Sequence, residues 1–445
     1  MRNFKTQNQI FILIFVSIVS VLFLIGLCSV INESLQMDFS AYYTAGRDFL
    51  LGNDIYKNNI LSPLSNWDGV SRYEHSRYIY FPVFSLFFVP FSLFPYQIAK
   101  LIWTVFCFFS LIASLLLVLK HLPATESRKK MAFTFSLFLT MLFYPLKTVL
   151  ERGQIEPFLL LIMTVSLILI YEKETSFAGG ALLSVVALVK FQLLIFFPIF
   201  MLCGRKKAVI GMFFGFILIN LLSFAVFGVE STSKYYFKEL PRIVQYGESG
   251  TEAMLLDDAE FQKRLQELDR GISLKDGRSY KASNILFYSN ASLTKAISKR
   301  LSVSSVYVLL FFCTIFFFVV AYLQFKKQQL SKLITNRNRY WEFWLAVLLF
   351  SVSVSPVSWT TALVWLLPLF LVLICSEKIC LTSSDHLMFF AGYVFIAFPD
   401  NLLFAIKYPV ISNIVEGKYL YGQILILATL FVRFVSWKEE SYENS

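Results

Sequence analysis

The side chains that build metal and disulfide sites are scarce in this chain. It contains three histidines, His75, His121 and His386, and their positions form no ligand spacing, so a metal site is not expected. The six cysteines lie in or beside apolar segments and none lies in the two long polar loops, which gives no support to disulfides or CxxC metal sites. No Walker loop, GxSxG motif or nucleotide-binding glycine motif is present, so the sequence does not predict a nucleotide-sugar donor.

Charge is also sparse, at 16% of residues, whereas 57% of the chain is hydrophobic and 49 residues are phenylalanine. Apolar runs of about 17 to 25 residues recur along the chain, and each is long enough to cross a bilayer as a helix. Barrel strands would alternate polar and apolar residues, and these runs do not alternate. The sequence therefore predicts an all-α polytopic membrane protein.

The net charge of +11 does not indicate a nucleic-acid partner. Many basic residues cluster in short loops between apolar runs, which is the pattern of loops kept on the cytoplasmic side. The clusters are Arg128-Lys129-Lys130, Arg205-Lys206-Lys207 and Lys326-Lys327. The first apolar run, residues 10–31, lacks a small-residue cleavage site and is interpreted as a retained signal anchor.

These clusters predict about twelve spans, within a range of 10–13, with both termini cytoplasmic. The segment 78–95 contains prolines at 82, 90 and 95 and is interpreted as a surface or re-entrant helix, because spanning would export residues 128–130. The predicted helices lie near 10–30, 97–119, 131–150, 153–171, 176–190, 191–204, 207–228, 302–325, 341–357, 361–376, 385–405 and 419–436. Residues 1–445 form one domain with a long first extracytoplasmic loop, 31–96, and a second, 229–300.

The first loop carries the acids most suited to chemistry. Asp38 follows the first span closely, with Tyr42 and Tyr43 one turn later, and a carboxylate there could take the proton of an acceptor hydroxyl in glycosyl transfer. The alternative is that Asp38 caps a helix that starts at Phe39. Asp54 is a second candidate acid, but it lies in a Gly-Asn-Asp turn and can serve that turn instead.

Charged residues also gather near the outer ends of the predicted helices. Lys147, Arg152 and Lys190 could meet the phosphate of a lipid-linked donor, and Glu151 and Glu156 lie among them. The alternatives are ion pairs such as Lys147 with Glu151, or snorkelling to lipid headgroups. Ser355-Pro356-Val357-Ser358-Trp359 ends a span, and its proline and tryptophan are equally typical of a kink at the interface.

The order of these segments resembles that of glycosyltransferase family 87, the polyprenol-phosphate-mannose-dependent enzymes of the GT-C class. The matching pieces are Asp38-Phe39-Ser40-Ala41-Tyr42-Tyr43, Gly52-Asn53-Asp54-Ile55-Tyr56, Tyr80-Phe81-Pro82, Gly153-Gln154, Lys190, Asn290-Ala291-Ser292-Leu293 and Ser355-Pro356-Val357-Ser358-Trp359. Two departures stand out: Thr360, Thr361 and Ala362 occupy positions where the family often has histidine, and Ala291 replaces a glutamine.

The resemblance implies a GT-C fold and an inverting transfer of a hexose, mannose first, from a polyprenyl monophosphate to a lipid or glycan hydroxyl. Asp38 would be the base, and the site would face outward from a bacterial plasma (inner) membrane, among membrane lipids. No cofactor or divalent metal is expected. The implied donor-phosphate ligands are Arg152, Lys190 and Lys147, and the implied sugar or lipid ligands are Tyr42, Tyr43, Tyr80, Gln154 and Trp359.

Two other classes of function remain open at this point. A polytopic lipid or sugar transporter or flippase would place charges at mid-membrane on several helices and would show paired broken helices. An O-antigen-type polymerase or ligase would also face outward, but it would use a pyrophosphate-linked oligosaccharide.

Overall fold

The structure is a computed structural model, and it describes residues 17, 20, 21, 23–28, 36–56, 78–243, 292–327, 335–375, 383–399 and 417–436. Within these residues the fold is all-α, without a strand, as the sequence predicts. Most of the helix predicted near 10–30, the termini and most of the loop 229–300 lie outside the described residues. The number of spans and the side of the termini therefore stay predictions.

Fifteen α-helices are described in these ranges. They are α1 Met37–Leu50, α2 Val89–Ser92, α3 Tyr96–His121, α4 Glu126–Met141, α5 Tyr144–Arg152, α6 Glu156–Tyr171, α7 Ser176–Val189, α8 Phe196–Leu202, α9 Lys206–Lys234, α10 Leu293–Leu301, α11 Ser305–Lys327, α12 Arg337–Val354, α13 Leu367–Cys375, α14 Ser383–Ala397 and α15 Lys418–Ser436. The 3₁₀ segments Pro82–Phe88, Phe191–Ile195 and Thr360–Leu366 precede α2, α8 and α13.

Among the described helices, two are long and apolar enough to cross a membrane, Tyr96–His121 and Lys206–Ile243. A third candidate is α4 with α5, which together qualify but bend by 63° at their junction. Pro145 is the second residue of α5, and its missing N–H explains why the helix predicted over 131–150 breaks there. Seven shorter apolar helices accompany these spans, so the chain is an all-α membrane protein.

Proline also shapes the segment predicted to be a surface or re-entrant helix. Residues Pro82–Ser92 form a short helix, 3₁₀ at first and α from Val89, and Pro95 precedes the first residue of α3. Its aromatic side chains pack with α1 around Trp103 of α3, whose side chain is fully buried. The ring centroids of Phe39, Phe88 and Phe91 lie 5.7, 5.1 and 5.7 Å from that of Trp103. This aromatic core fixes α1, and with it Asp38, against α3.

Helices α7 and α9 pack backbone against backbone. A Cβ at Gly180 of α7 would overlap the carbonyl of Ala208, and one at Gly211 of α9 would overlap the carbonyl of Phe177. Gly215, one turn further along α9, meets Ala181 in the same way. Small residues allow such close approach between helices in a bilayer, where packing rather than hydrophobicity drives association. The contact holds α7, and Lys190 follows the last residue of this helix.

Candidate active site

Asp38 lies in the first turn of α1, and its carboxylate is bonded from two directions. Arg152 donates to it in bidentate fashion, from Nε to Oδ2 at 2.6 Å and from Nη2 to Oδ1 at 3.2 Å. Gln154 donates from Nε2 to Oδ2 at 2.6 Å. The helix begins at Met37 with Gln36 as its N-cap, so Asp38 does not cap a helix starting at Phe39. Its carboxylate instead joins α1 to the turn at the end of α5, whose Arg152 and Gln154 lie 114 and 116 residues further along the chain.

The turn at Gly153 explains how Arg152 and Gln154 both reach Asp38. Gly153 has a left-handed backbone, φ 67°, which ends α5 and which glycine adopts without strain. A Cβ there would come within 2.7 Å of the Cβ of Phe39. The Gly153 carbonyl also accepts a hydrogen bond from Trp103 Nε1 at 2.8 Å. The Gly153-Gln154 motif is therefore a tight turn against α1 that aims the flanking side chains at one carboxylate.

Two tyrosines extend this network. Tyr42 donates from its hydroxyl to Gln154 Oε1 at 3.2 Å, and its oxygen lies 3.2 Å from the hydroxyl of Tyr80. Burial raises the pKa of both phenols, so both keep the proton that such bonds require. Because Gln154 Oε1 accepts from Tyr42, its amide nitrogen faces Asp38. Tyr42 is 1% exposed and Gln154 5%, so both lie beneath the surface of the site.

A second ion pair lies beside Tyr80. Lys190, one residue after α7, donates to Glu156 Oε1 at 3.0 Å, and its Nζ lies 5.5 Å from the ring centroid of Tyr80. Thr361 donates to the same Glu156 oxygen at 3.1 Å, and Trp365 Nε1 donates to the Glu156 carbonyl at 3.1 Å. Tyr80 thus lies between two carboxylate–cation pairs, Asp38 with Arg152 and Glu156 with Lys190.

An apolar cavity of about 450 Å³ opens next to this second pair. Tyr80, Lys190 and Trp359, three of the predicted site residues, line it. Most of its remaining wall is aliphatic or aromatic and comes from the ends of α7 and α12, from α11 and from the residues after α9, including Val189, Val354, Leu309, Phe317 and Ile243. Gln192 and Ser355 also line the wall and bond each other at 3.2 Å. The cavity therefore has the charged Lys190 at one end and is otherwise lined mainly by apolar side chains.

The other predicted site residues have partners elsewhere. Lys147 and Glu151 form an ion pair at 3.2 Å on a half-exposed surface. This pair is the alternative that the sequence offered to a phosphate contact by Lys147. Asp54 pairs with Lys234 and also accepts from the Tyr56 N–H at 3.0 Å, as expected of a turn residue.

Tyr43 donates its hydroxyl to the carbonyl of Phe94 at 2.7 Å. Within the described ranges, no group of three or more His, Cys, Asp or Glu side chains is arranged to hold a metal ion.

Two residues in the network were not given a role from the sequence. In the sequence, Glu156 is only one of several charged residues near the predicted helix ends. In the structure it is a fully buried carboxylate at the start of an apolar helix, which is energetically costly and therefore indicates a function. Thr361 appeared only as a departure from a family histidine. Its partner, Glu156, is 205 residues away in the chain, and no local pattern predicts that contact.

The fold and composition define the chain as an all-α, multi-pass membrane protein. The model of glycosyltransferase family 87 matches residues 78–256, a stretch shorter than half the chain. This match confirms the resemblance predicted from the sequence and supports a glycosyltransferase. The matched stretch contains Tyr80, Arg152, Gln154, Glu156 and Lys190. No curated protein and no solved structure matches the chain.

Proposed function

We propose that the chain is a glycosyltransferase that transfers a hexose, with mannose as the first candidate, from a polyprenyl monophosphate to an acceptor hydroxyl. The acceptor is a lipid or a glycan, and the reaction takes place at the extracytoplasmic face of a bacterial plasma membrane. The observation that carries the proposal is the cavity with Lys190 at one end. A cation beside an apolar wall is complementary to a phosphate attached to an isoprenoid chain, and the family match supplies the reaction class.

In this reaction Asp38 acts as the general base. The carboxylate takes the proton of the acceptor hydroxyl as its oxygen forms a bond to the anomeric carbon. The bond from that carbon to the phosphate oxygen breaks in the same step, and the electron pair leaves with the phosphate, so the configuration inverts. Arg152 and Gln154 hold the carboxylate in place, which fixes its direction relative to the acceptor.

Lys190 and Arg152 are the proposed phosphate contacts. Lys190 lines the cavity directly. Arg152 bonds Asp38 here, and a guanidinium can bond a carboxylate and a phosphate at once because it carries five N–H donors. Lys147 lies on a more exposed surface and would act only on a phosphate that approaches from outside. Tyr80 and Trp359 line the cavity and would contact the prenyl chain or the sugar.

Transfer of radiolabelled sugar from polyprenyl-phosphate-mannose to extracted membrane lipids tests this proposal. The assay compares purified wild type with Asp38→Asn, and with Asp54→Asn as the matched acid elsewhere in the first loop. Loss of a general base lowers the rate by about 10²- to 10⁴-fold, so we expect Asp38→Asn to lose transfer and Asp54→Asn to keep it. The reverse pattern would make Asp54 the base.

The donor is tested in the same assay. If wild type does not transfer mannose, polyprenyl-phosphate-glucose and polyprenyl-phosphate-arabinose are the next donors. Transfer from a pyrophosphate-linked oligosaccharide alone would favour a polymerase or ligase. Absence of transfer from all of these donors would favour a transporter.

A further inference from the structure

Glu156 is a buried carboxylate that the proposed reaction does not use. It begins α6, and its side chain has no exposed surface. Lys190 and Thr361 both donate to its Oε1. Its Oε2 is buried and accepts no hydrogen bond within the described part of the chain. A carboxylate that is buried and only half satisfied carries a desolvation cost.

Stability alone does not account for such a pair. Desolvation of two buried charges offsets much of their attraction, so a buried ion pair is a weak stabiliser compared with apolar residues of the same size. Perturbed, costly charges concentrate instead at functional sites. The pair here also has an asymmetric setting, because Lys190 lines the cavity whereas Glu156 lies behind it and lines no part of it.

Glu156 is itself held firmly. Thr361 fixes its carboxylate, and Trp365, which is fully buried, fixes its main-chain carbonyl. Both partners come from the 3₁₀ segment Thr360–Leu366, which follows the Ser355–Trp359 motif directly. The carboxylate therefore occupies a position set by α6 and by this 3₁₀ segment, and Lys190 reaches it from the end of α7.

We propose that Glu156 is a positioning residue that holds the Lys190 ammonium charged and directed toward the end of the cavity, where it receives the phosphate of an isoprenoid monophosphate. This inference rests on the proposed function for the identity of the ligand. Glu156 does not touch the donor. It acts through Lys190, and its loss leaves an amine in a largely apolar surrounding.

The groups around Lys190 explain why Glu156 has this role. They are Glu156 on α6, Tyr80 before the Pro82–Ser92 helix, Tyr235 in the wall of the same cavity and, further away, Asp38 on α1, which is itself paired with Arg152. Glu156 is the carboxylate bonded to Lys190. Without it, burial favours the neutral amine, which binds a phosphate dianion poorly.

Binding of farnesyl phosphate to the purified full-length chain at pH 7.5 and pH 9.5 tests the proposal. The phosphate is a dianion at both values, so its own titration does not interfere. We expect wild-type affinity to change less than about twofold between the two conditions. We expect Glu156→Gln to bind about 10-fold more weakly at pH 9.5 than at pH 7.5, because the neutral fraction of Lys190 rises.

Replacing Lys190 by arginine tests whether the loss of binding comes from loss of the positive charge or from a structural effect of Glu156→Gln. A guanidinium stays protonated at both pH values, so the double variant Glu156→Gln, Lys190→Arg should regain pH-independent binding. Glu126→Gln is the matched control, since Glu126 is exposed, pairs with Lys129 at 3.5 Å, and should leave binding unchanged when replaced. A pH-independent Glu156→Gln variant, or a double variant that still loses affinity at pH 9.5, would overturn the proposal.

A second readout needs no ligand. Only the neutral amine reacts with acetic anhydride, so mass spectrometry should show faster acetylation of Lys190 at pH 7.5 in Glu156→Gln than in wild type or Glu126→Gln. An unchanged rate would overturn the proposal. If wild type does not bind farnesyl phosphate, the proposed donor class is wrong, and the acetylation rate then decides the role of Glu156 by itself.

Discussion

Replacing Arg152 by methionine tests the pair that organises the site, and the result does not depend on the reaction. The change removes the two bonds to Asp38, at 2.6 and 3.2 Å, and leaves a carboxylate whose side chain is 10% exposed. Removing one partner of a buried ion pair costs about 3–5 kcal/mol. The Arg152 side chain is 24% exposed and Gln154 still bonds Asp38, so we expect the lower end, about 3 kcal/mol.

Thermal unfolding of the detergent-purified chain measures this loss. With the unfolding entropy per residue of soluble proteins, about 3 kcal/mol corresponds to a shift of about 3 °C for a chain of this length. Arg152→Lys keeps the positive charge, but an ammonium cannot make the bidentate contact of a guanidinium with a carboxylate, so we expect about half of that shift. The conservative variant thereby separates the bidentate geometry from the charge alone.

A double-mutant cycle with Asp38→Asn completes the test. If the pair exists as described, the double variant Asp38→Asn, Arg152→Met loses less stability than the sum of the single variants, by about 1–3 kcal/mol. Effects that add within about 0.5 kcal/mol would show that the two side chains do not interact, and the arrangement of the candidate site would then be wrong.

Three further changes probe separate features. Gly153→Ala adds a Cβ within 2.7 Å of the Phe39 Cβ at a left-handed position, so thermal unfolding should show a loss of about 1–3 kcal/mol, and unchanged stability would contradict the tight turn. Trp359→Ala removes a wall of the cavity, so binding of farnesyl phosphate should weaken by about 10-fold, with Trp341→Phe, remote from that wall, as the control. Above pH 10, stability should fall, because burial raises the pKa of Tyr42 and of the other tyrosines around it, and only the unfolded chain then ionises them. Tyrosinate absorbance at 295 nm should therefore rise together with unfolding, and a rise well before unfolding would contradict this burial.

The sequence predicts the helices more completely than the site. Long apolar runs locate α3, α6 and α7 within a few residues, because helix formation and burial depend on local composition. The break before α5 could also be expected in principle, since Pro145 lies inside the predicted helix. The prediction placed one continuous helix there, because most of the residues are apolar. The helix breaks nevertheless, because Pro145 has no backbone N–H to donate.

The pairing of charges could not be predicted in the same way. The sequence indicates Asp38 and Arg152 as candidates, but it does not show that they bond each other across 114 residues. Lys190 and Glu156 are likewise 34 residues apart, one just after α7 and the other at the start of α6. Which cation meets which carboxylate depends on how helices pack, and packing is a property of the whole chain. The local pair of Lys147 with Glu151, in contrast, follows from helical spacing alone.

The glycine contact between α7 and α9 has a consequence for the timing of binding. Because carbonyl groups of one helix rest against Cα atoms of the other, α7 cannot rotate or slide without atomic overlap. Lys190 follows the last residue of α7, so this contact restrains the helix whose end carries Lys190. Together with the bond from its ammonium to Glu156, this places the cation before any donor arrives, and little of the binding free energy is needed to reorganise the protein.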